Sequence, residues 1–145
     1  MKVVICSSVD FTLKIKEIAD KLIEDGHKIE LPYYVKKVLN GEVILDDYLK
    51  IKQKNGDFHF RKIAEEDLIK RYFNLIKNSD AILVVNEEKN NIKNYIGGSV
   101  LAEMAFAYVL DKKIFLLNPV PQMSYSDEIK SMKPIVVNGD LNKIK

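Results

Sequence analysis

Glu103 is the one charge in the segment Val100-Leu101-Ala102-Glu103-Met104-Ala105-Phe106-Ala107-Tyr108-Val109-Leu110. A carboxylate buried without a partner costs several kcal/mol. On a helix that is apolar nearly all round, such a residue is best explained by a polar cavity, where a carboxylate can act as a nucleophile. The stretch before it, Asn94-Tyr95-Ile96-Gly97-Gly98-Ser99, adds to that picture. Glycines let a backbone approach a ligand closely, and a helix start offers free N–H groups and a positive dipole end suited to phosphate. Ser99 and Glu103 are one turn apart on one face, and the dipole is expected to favour an ionised Glu103. The spacing fits a plainer reading equally well, with Gly97-Gly98 as a turn, Ser99 as an N-cap and Glu103 as a surface residue.

A second cluster is Cys6-Ser7-Ser8-Val9-Asp10. A Cys-x5-Arg phosphatase loop needs arginine at position 12, where Thr12 stands. Cys6 therefore reads as a buried core residue, and Ser7 and Ser8 as candidate ligands for a phosphate or a hydroxyl. Asn86, closing an apolar run, is placed to bind a ligand. Tyr95 would either stack on a ring or anchor its loop. Asp80, at the start of the same run, reads as a cap or turn residue. His27 and His59 have no second His or Cys at ligand spacing, so no metal is expected. No G-x-G-x-x-G follows the first apolar run, so no dinucleotide fingerprint is present, and no cofactor is expected.

Parallel strands and helices must position these residues. Val3-Val4-Ile5-Cys6 reads as a buried strand, and Ile15, Ile18, Ala19, Leu22 and Ile23 recur at helical spacing up to Gly26. His27-Lys28-Ile29-Glu30-Leu31, closed by Pro32, is a second, outer strand. Residues 33–57 break the pattern and are expected to form an irregular or partly helical lid. Ile63, Leu68, Ile69, Tyr72, Phe73 and Ile76 mark one amphipathic helix, followed by the strand Ala81–Val85. A polar loop over 87–98 leads to the apolar helix from about Ser99 to Leu110. Then come the strand Lys113–Leu117, a short helix near Ser126–Met132 and a fifth strand, Pro134–Val137. This order predicts a single α/β domain, a doubly wound, mainly parallel five-stranded sheet of Rossmann or flavodoxin-like type in three α/β/α layers. Ligands of such folds bind beyond the carboxyl ends of the strands, near the switch in strand order.

The chain has 145 residues, enough for one core, with 47% hydrophobic and 30% charged residues and a net charge of +2. The lysines are scattered, so a nucleic-acid polymer is not an expected partner. No apolar run approaches the roughly 20 residues of a membrane span. The lone Cys6 excludes an internal disulfide and fits a reducing compartment. A cytoplasmic location is expected.

The segment Asn78-Ser79-Asp80-Ala81-Ile82-Leu83-Val84-Val85, the polar loop, the run from Gly97 to Ala107, and Lys112-Lys113-Ile114-Phe115-Leu116-Leu117 resemble the nucleoside 2-deoxyribosyltransferase superfamily and the related deoxynucleoside 5′-monophosphate N-glycosidases. The likeness is closest over residues 78–118, and Cys6-Ser7-Ser8 is similar to the family's phosphate loop. It implies that Glu103 attacks the anomeric carbon of a nucleoside or nucleotide, forming a glycosyl ester while the base leaves. It also implies a small-molecule substrate and a homo-oligomer, a dimer or larger, with a neighbour's residues completing the site. The Val100–Leu110 helix would supply either that interface or the core. The chain departs from the pattern at two places. Ser99-Val100-Leu101 stands where the family has Gly-x-Gly, and Tyr72 where it has an acid, with Asp67 a turn or more away. A non-catalytic nucleotide-binding module on the same fold is the alternative reading.

Overall fold

The three central apolar runs become strands that are buried on both faces, as parallel sheets require. A computed structural model describes residues 1–145. Its strands are β1 (Lys2–Cys6), β2 (Lys28–Glu30), β3 (Ala81–Val84), β4 (Lys113–Leu116) and β5 (Ile135–Val136). Its helices are α1 (Thr12–Glu24), α2 (Tyr33–Leu39), α3 (Leu45–Lys54), α4 (Phe58–Glu65), α5 (Leu68–Lys77), α6 (Gly98–Val109) and α7 (Ser126–Ser131). All strand pairs are parallel, in the order β2-β1-β3-β4-β5. This is the expected three-layer, doubly wound fold.

Successive side chains of a strand point to opposite faces, and the two halves of the core divide accordingly. Val3, Ile5, Ala81, Leu83 and Phe115 pack with Ile15, Ile18, Ala19 and Leu22 of α1. Val4, Cys6, Ile82, Val84 and Leu116 pack with Tyr72 and Ile76 of α5 and Val100, Met104 and Ala107 of α6. Cys6 is level with Val84, and Val84 with Leu116. The residues that follow these three therefore leave the sheet side by side at its carboxyl edge.

The buried positions of α6 are Val100, Glu103, Met104 and Ala107, the i, i+3, i+4, i+7 stripe of a core-facing helix. Glu103 thus occupies a core position, not the surface. Phe106 meets Phe73 edge to face at 5.5 Å and locks α6 to α5. Tyr108 and Val109 face outward. No helix is long and apolar enough to cross a membrane.

One expectation is corrected. The single helix expected over 63–76 is two helices, α4 and α5. Asp67 adopts the left-handed conformation (φ 48°) between them and turns the chain. The excursion at 33–57 takes the partly helical form. It comprises α2 and α3, separated by a turn at Gly41, whose φ of 83° favours a residue without a β-carbon.

Candidate functional site

Strand order reverses between β1 and β3, so the loops leaving them diverge and open a crevice. A cavity of about 650 Å³ lies there. Ser7, Ser8 and Val85 form its floor, and Gly97, Gly98, Ala102, Glu103 and Phe106 form one wall. The helices between β2 and β3 roof it, contributing Tyr33, Tyr34, Tyr48, Lys52, His59 and Tyr72. The roof is held by packed rings, Tyr34 tilted against Tyr48 at 4.9 Å and Tyr48 edge to face with Phe58 at 5.3 Å.

Glu103 is 8% exposed, and its Oε2 is buried without any hydrogen-bond partner. Burial pushes its carboxyl up to about 8, only partly offset by the neighbouring Cys6 thiol. Burial likewise pushes the Cys6 thiol up, and the nearby Glu103 charge adds to the effect. The Tyr72 phenol is raised by burial, then by Glu103 and Cys6. Its oxygen accepts the Tyr33 N–H at 3.0 Å, which pins the roof to α5. These shifts correct the expectation that the helix dipole keeps Glu103 ionised. The dipole acts over the first turn, whereas Glu103 is the sixth residue of α6, where desolvation prevails.

The rim of the cavity is cationic. Lys89 donates to Ser8 Oγ at 3.1 Å and to Asp10 Oδ1 at 3.2 Å, and lies 5.5 Å from the Tyr95 ring centroid. Ser8 also donates to Asp10 at 2.8 Å. Burial opposes the charge of Asp10, but Ser8 and Lys89 together hold its carboxyl below its ordinary value. Burial, and then the adjacent Lys89 charge, lower Lys52. Loss of solvent on one side, and then both lysines, lower His59.

A knuckle after β3 sets Lys89 in place. Lys89 and Ile92 exchange backbone hydrogen bonds, and the Tyr95 N–H returns to Glu87 O at 2.9 Å. Asn90, Asn91 and Asn94 take the left-handed conformations this path needs, which asparagine tolerates better than most residues.

Of the residues singled out in the sequence, Ser7, Ser8, Tyr95, Gly97, Gly98, Ser99 and Glu103 all line the one cavity. Ser7 donates to Val85 O at 2.7 Å and keeps its acceptor lone pairs free. Ser99 is exposed and is the second residue of α6, so the N-cap is Gly97, which has no side chain to cap with. Neither Gly97 nor Gly98 has a positive φ, so a turn does not require them. A β-carbon on Gly98 would meet nothing within 4 Å, so its face borders open space.

Asn86 is the exception and does not line the cavity. It is fully buried, and its amide nitrogen donates to the carbonyls of Asn118 and Pro119, at 3.1 Å each. Its oxygen accepts the Asn118 N–H at 3.0 Å. It ties the loops after β3 and β4 together. Asp80 accepts the Lys2 N–H at 2.6 Å at the opposite edge of the sheet. Asp67 does not line the cavity either. No three His, Cys, Asp or Glu side chains converge in a way that could hold a metal ion.

Sequence reasoning missed Lys52, Lys89 and the roof residues Tyr33, Tyr34 and Tyr48. For Lys89 the only signal was its place in a loop at the carboxyl end of a strand. Lys52 reaches the cavity only because α3 folds back over it. No family model, curated protein or solved structure matches the chain.

Proposed function

We propose that this protein cleaves or transfers the N-glycosidic bond of a (deoxy)nucleoside or nucleoside 5′-monophosphate, with Glu103 as nucleophile. The observation that carries the reading is the unpartnered carboxyl oxygen of Glu103 on the wall of a cavity of about 650 Å³. Pockets of roughly 300–1,000 Å³ suit small molecules. The rings of Tyr34 and Tyr95 line the cavity and could pack against a base. The resemblance of residues 78–118 to nucleoside 2-deoxyribosyltransferases points to the same chemistry.

In this reading a Glu103 carboxylate oxygen bonds to the anomeric carbon as the carbon–nitrogen bond breaks. The base departs with the bonding electron pair and takes a proton from water, since Tyr72 stands where the family has an acid. Water or a second base then displaces the ester oxygen and returns Glu103 to its starting state. Only the ionised carboxylate attacks. With Glu103 of the free protein titrating at about 8, kcat/KM should climb with pH and level off above about 8.

One observation favours a second reading, a nucleotide-binding module without turnover. At pH 7 Glu103 is mostly protonated, and a neutral carboxyl donates a hydrogen bond better than it attacks. The test is to incubate wild type and Glu103→Ala with ribo- and deoxyribonucleosides and their monophosphates and to separate free base by chromatography. The nucleophile reading expects base from wild type alone, with the stated pH profile. Release by both proteins would sink the role of Glu103. Release by neither, with a ligand still raising the melting temperature, would replace the enzyme by the binding module.

A further inference from the structure

Three asparagines stand directly before a glycine, at Asn40-Gly41, Asn55-Gly56 and Asn138-Gly139. In such a pair the glycine nitrogen can attack the asparagine side-chain carbon, because no side chain crowds its approach. The fold treats the three nitrogens differently. The Gly41 N–H donates to Val38 O at 3.2 Å and the Gly139 N–H to Leu117 O at 2.9 Å, whereas the Gly56 N–H makes no hydrogen bond. Asn55 and Gly56 are both exposed. The Asn55 side-chain oxygen accepts the Asp57 N–H at 3.2 Å, a donor placed where negative charge develops during attack. The Asn40 amide is held at both ends by Glu42, through its nitrogen at 3.0 Å and its oxygen at 3.3 Å. Nothing in the fold demands a glycine at position 56. Its φ is not positive, and a β-carbon there would meet nothing within 4 Å.

We propose that Asn55 is a site of spontaneous deamidation, a modification that loosens the roof of the cavity as the protein ages. The Gly56 nitrogen bonds to Asn55 Cγ, the Cγ–Nδ2 bond breaks, and ammonia leaves with the proton that the Gly56 nitrogen gives up. Water then opens the succinimide at either carbonyl and yields aspartate or isoaspartate. Turning the 55–56 peptide for attack gives up the bond from the Phe58 N–H to Asn55 O, at 3.1 Å. At the other two sites the attacking nitrogen itself must first be freed. Asn55 joins two roof helices, since its own N–H donates to Ile51 O at 3.0 Å at the end of α3, and Phe58 begins α4. Isoaspartate lengthens the main chain by one methylene between these two bonds. Either product also adds a carboxylate at the negative end of the α3 dipole. Tyr48 and Lys52 of α3 and His59 and Ile63 of α4 line the cavity, so the change reaches the site whatever it binds.

The experiment holds wild type, Gly56→Ala and Asn55→Asp in warm, mildly alkaline buffer. Peptide mapping by mass spectrometry follows each asparagine, and enzymatic methylation detects isoaspartate. Wild type should lose Asn55 about tenfold faster than Asn40 or Asn138, the scale of one backbone hydrogen bond released before attack. Gly56→Ala should fold as wild type does and keep Asn55, because its β-carbon hinders ring closure. Amide hydrogen exchange over residues 45–65 should quicken in aged wild type and stay constant in Gly56→Ala treated alike. Asn55→Asp carries the charge without the added methylene and should show part of that quickening from the outset. Equal loss at the three asparagines, or loss at Asn55 that Gly56→Ala does not slow, would overturn the site. Modification with unchanged exchange would overturn its effect on the roof.

Discussion

Replacing Glu103 by glutamine should stabilise the protein, increasingly so as pH rises. The carboxyl titrates at about 8 in the folded chain against an ordinary value of 4.5. Below pH 4.5 it is protonated in both states and contributes nothing to the pH dependence. Between 4.5 and 8 the unfolded chain releases the proton while the folded chain keeps it, so folding becomes harder at about 1.36 kcal/mol per pH unit. The penalty is therefore about 3 kcal/mol at pH 7 and levels off near 5 kcal/mol above pH 8. Cys6 and Tyr72, both raised well above their ordinary values, stay neutral across this window and add no slope. Glutamine keeps the shape and removes the ionisation. Urea unfolding of both proteins from pH 4.5 to 8.5 measures the difference directly. It should be near zero at the acid end and reach several kcal/mol at the other, with a melting-temperature gain of roughly 10 °C at pH 7. A difference that stays flat with pH, or a variant less stable than wild type at pH 8, would refute the burial argument.

Asn86→Ala should lower stability by about 2–4 kcal/mol, because it strands the partly buried Asn118 N–H and removes the tie between two loops. A urea midpoint shift below that range would mean the tie is dispensable. Gly98→Ala should leave stability unchanged or raise it by up to about 1 kcal/mol, since the site is helical and open. The same methyl should weaken ligand binding by adding bulk to the cavity wall that Gly98 forms. Unchanged affinity in calorimetry would show that no ligand approaches that face.

The sheet was legible because its cause is local. Runs such as Ala81–Val85 can be buried only as central strands, and the alternation of strand and helix leaves few topologies. The break at Asp67 was misread. Leu68, Tyr72 and Ile76 recur every four residues, but Ile63 stands five before Leu68 and so lies off their stripe, and that single offset is all that marks the left-handed residue between the two helices in the sequence. Asn86 was misread for a different reason. A polar residue at the carboxyl end of a strand can face the ligand or the neighbouring loop, and its partners at 118 and 119 are about thirty residues away. Glu103 was legible as an anomaly, but its ionisation was not. The sequence shows the helix start, while the competing term, loss of water against Cys6 and Tyr72, depends on elements distant in the chain.

The two ends of the cavity have opposite deficits. Deep inside, an acid lacks a donor for Oε2. At the rim, Lys89 pairs with Asp10 and the half-buried Lys52 makes no ion pair. Neither deficit stabilises the empty fold, and the first costs it several kcal/mol at neutral pH by the reasoning above. Filling the core position of Glu103 with leucine or methionine would remove that cost. A core position held by an unpartnered carboxyl is a local conflict of the kind that folded proteins retain at functional sites. A sugar hydroxyl would supply the donor that Oε2 lacks. In doing so it would favour the ionised form of Glu103, so ligand binding and activation of the nucleophile would be a single event. The direction of that coupling is fixed. A ligand that ionises Glu103 must release a proton as it binds at pH 7, and one that leaves the carboxyl neutral must not.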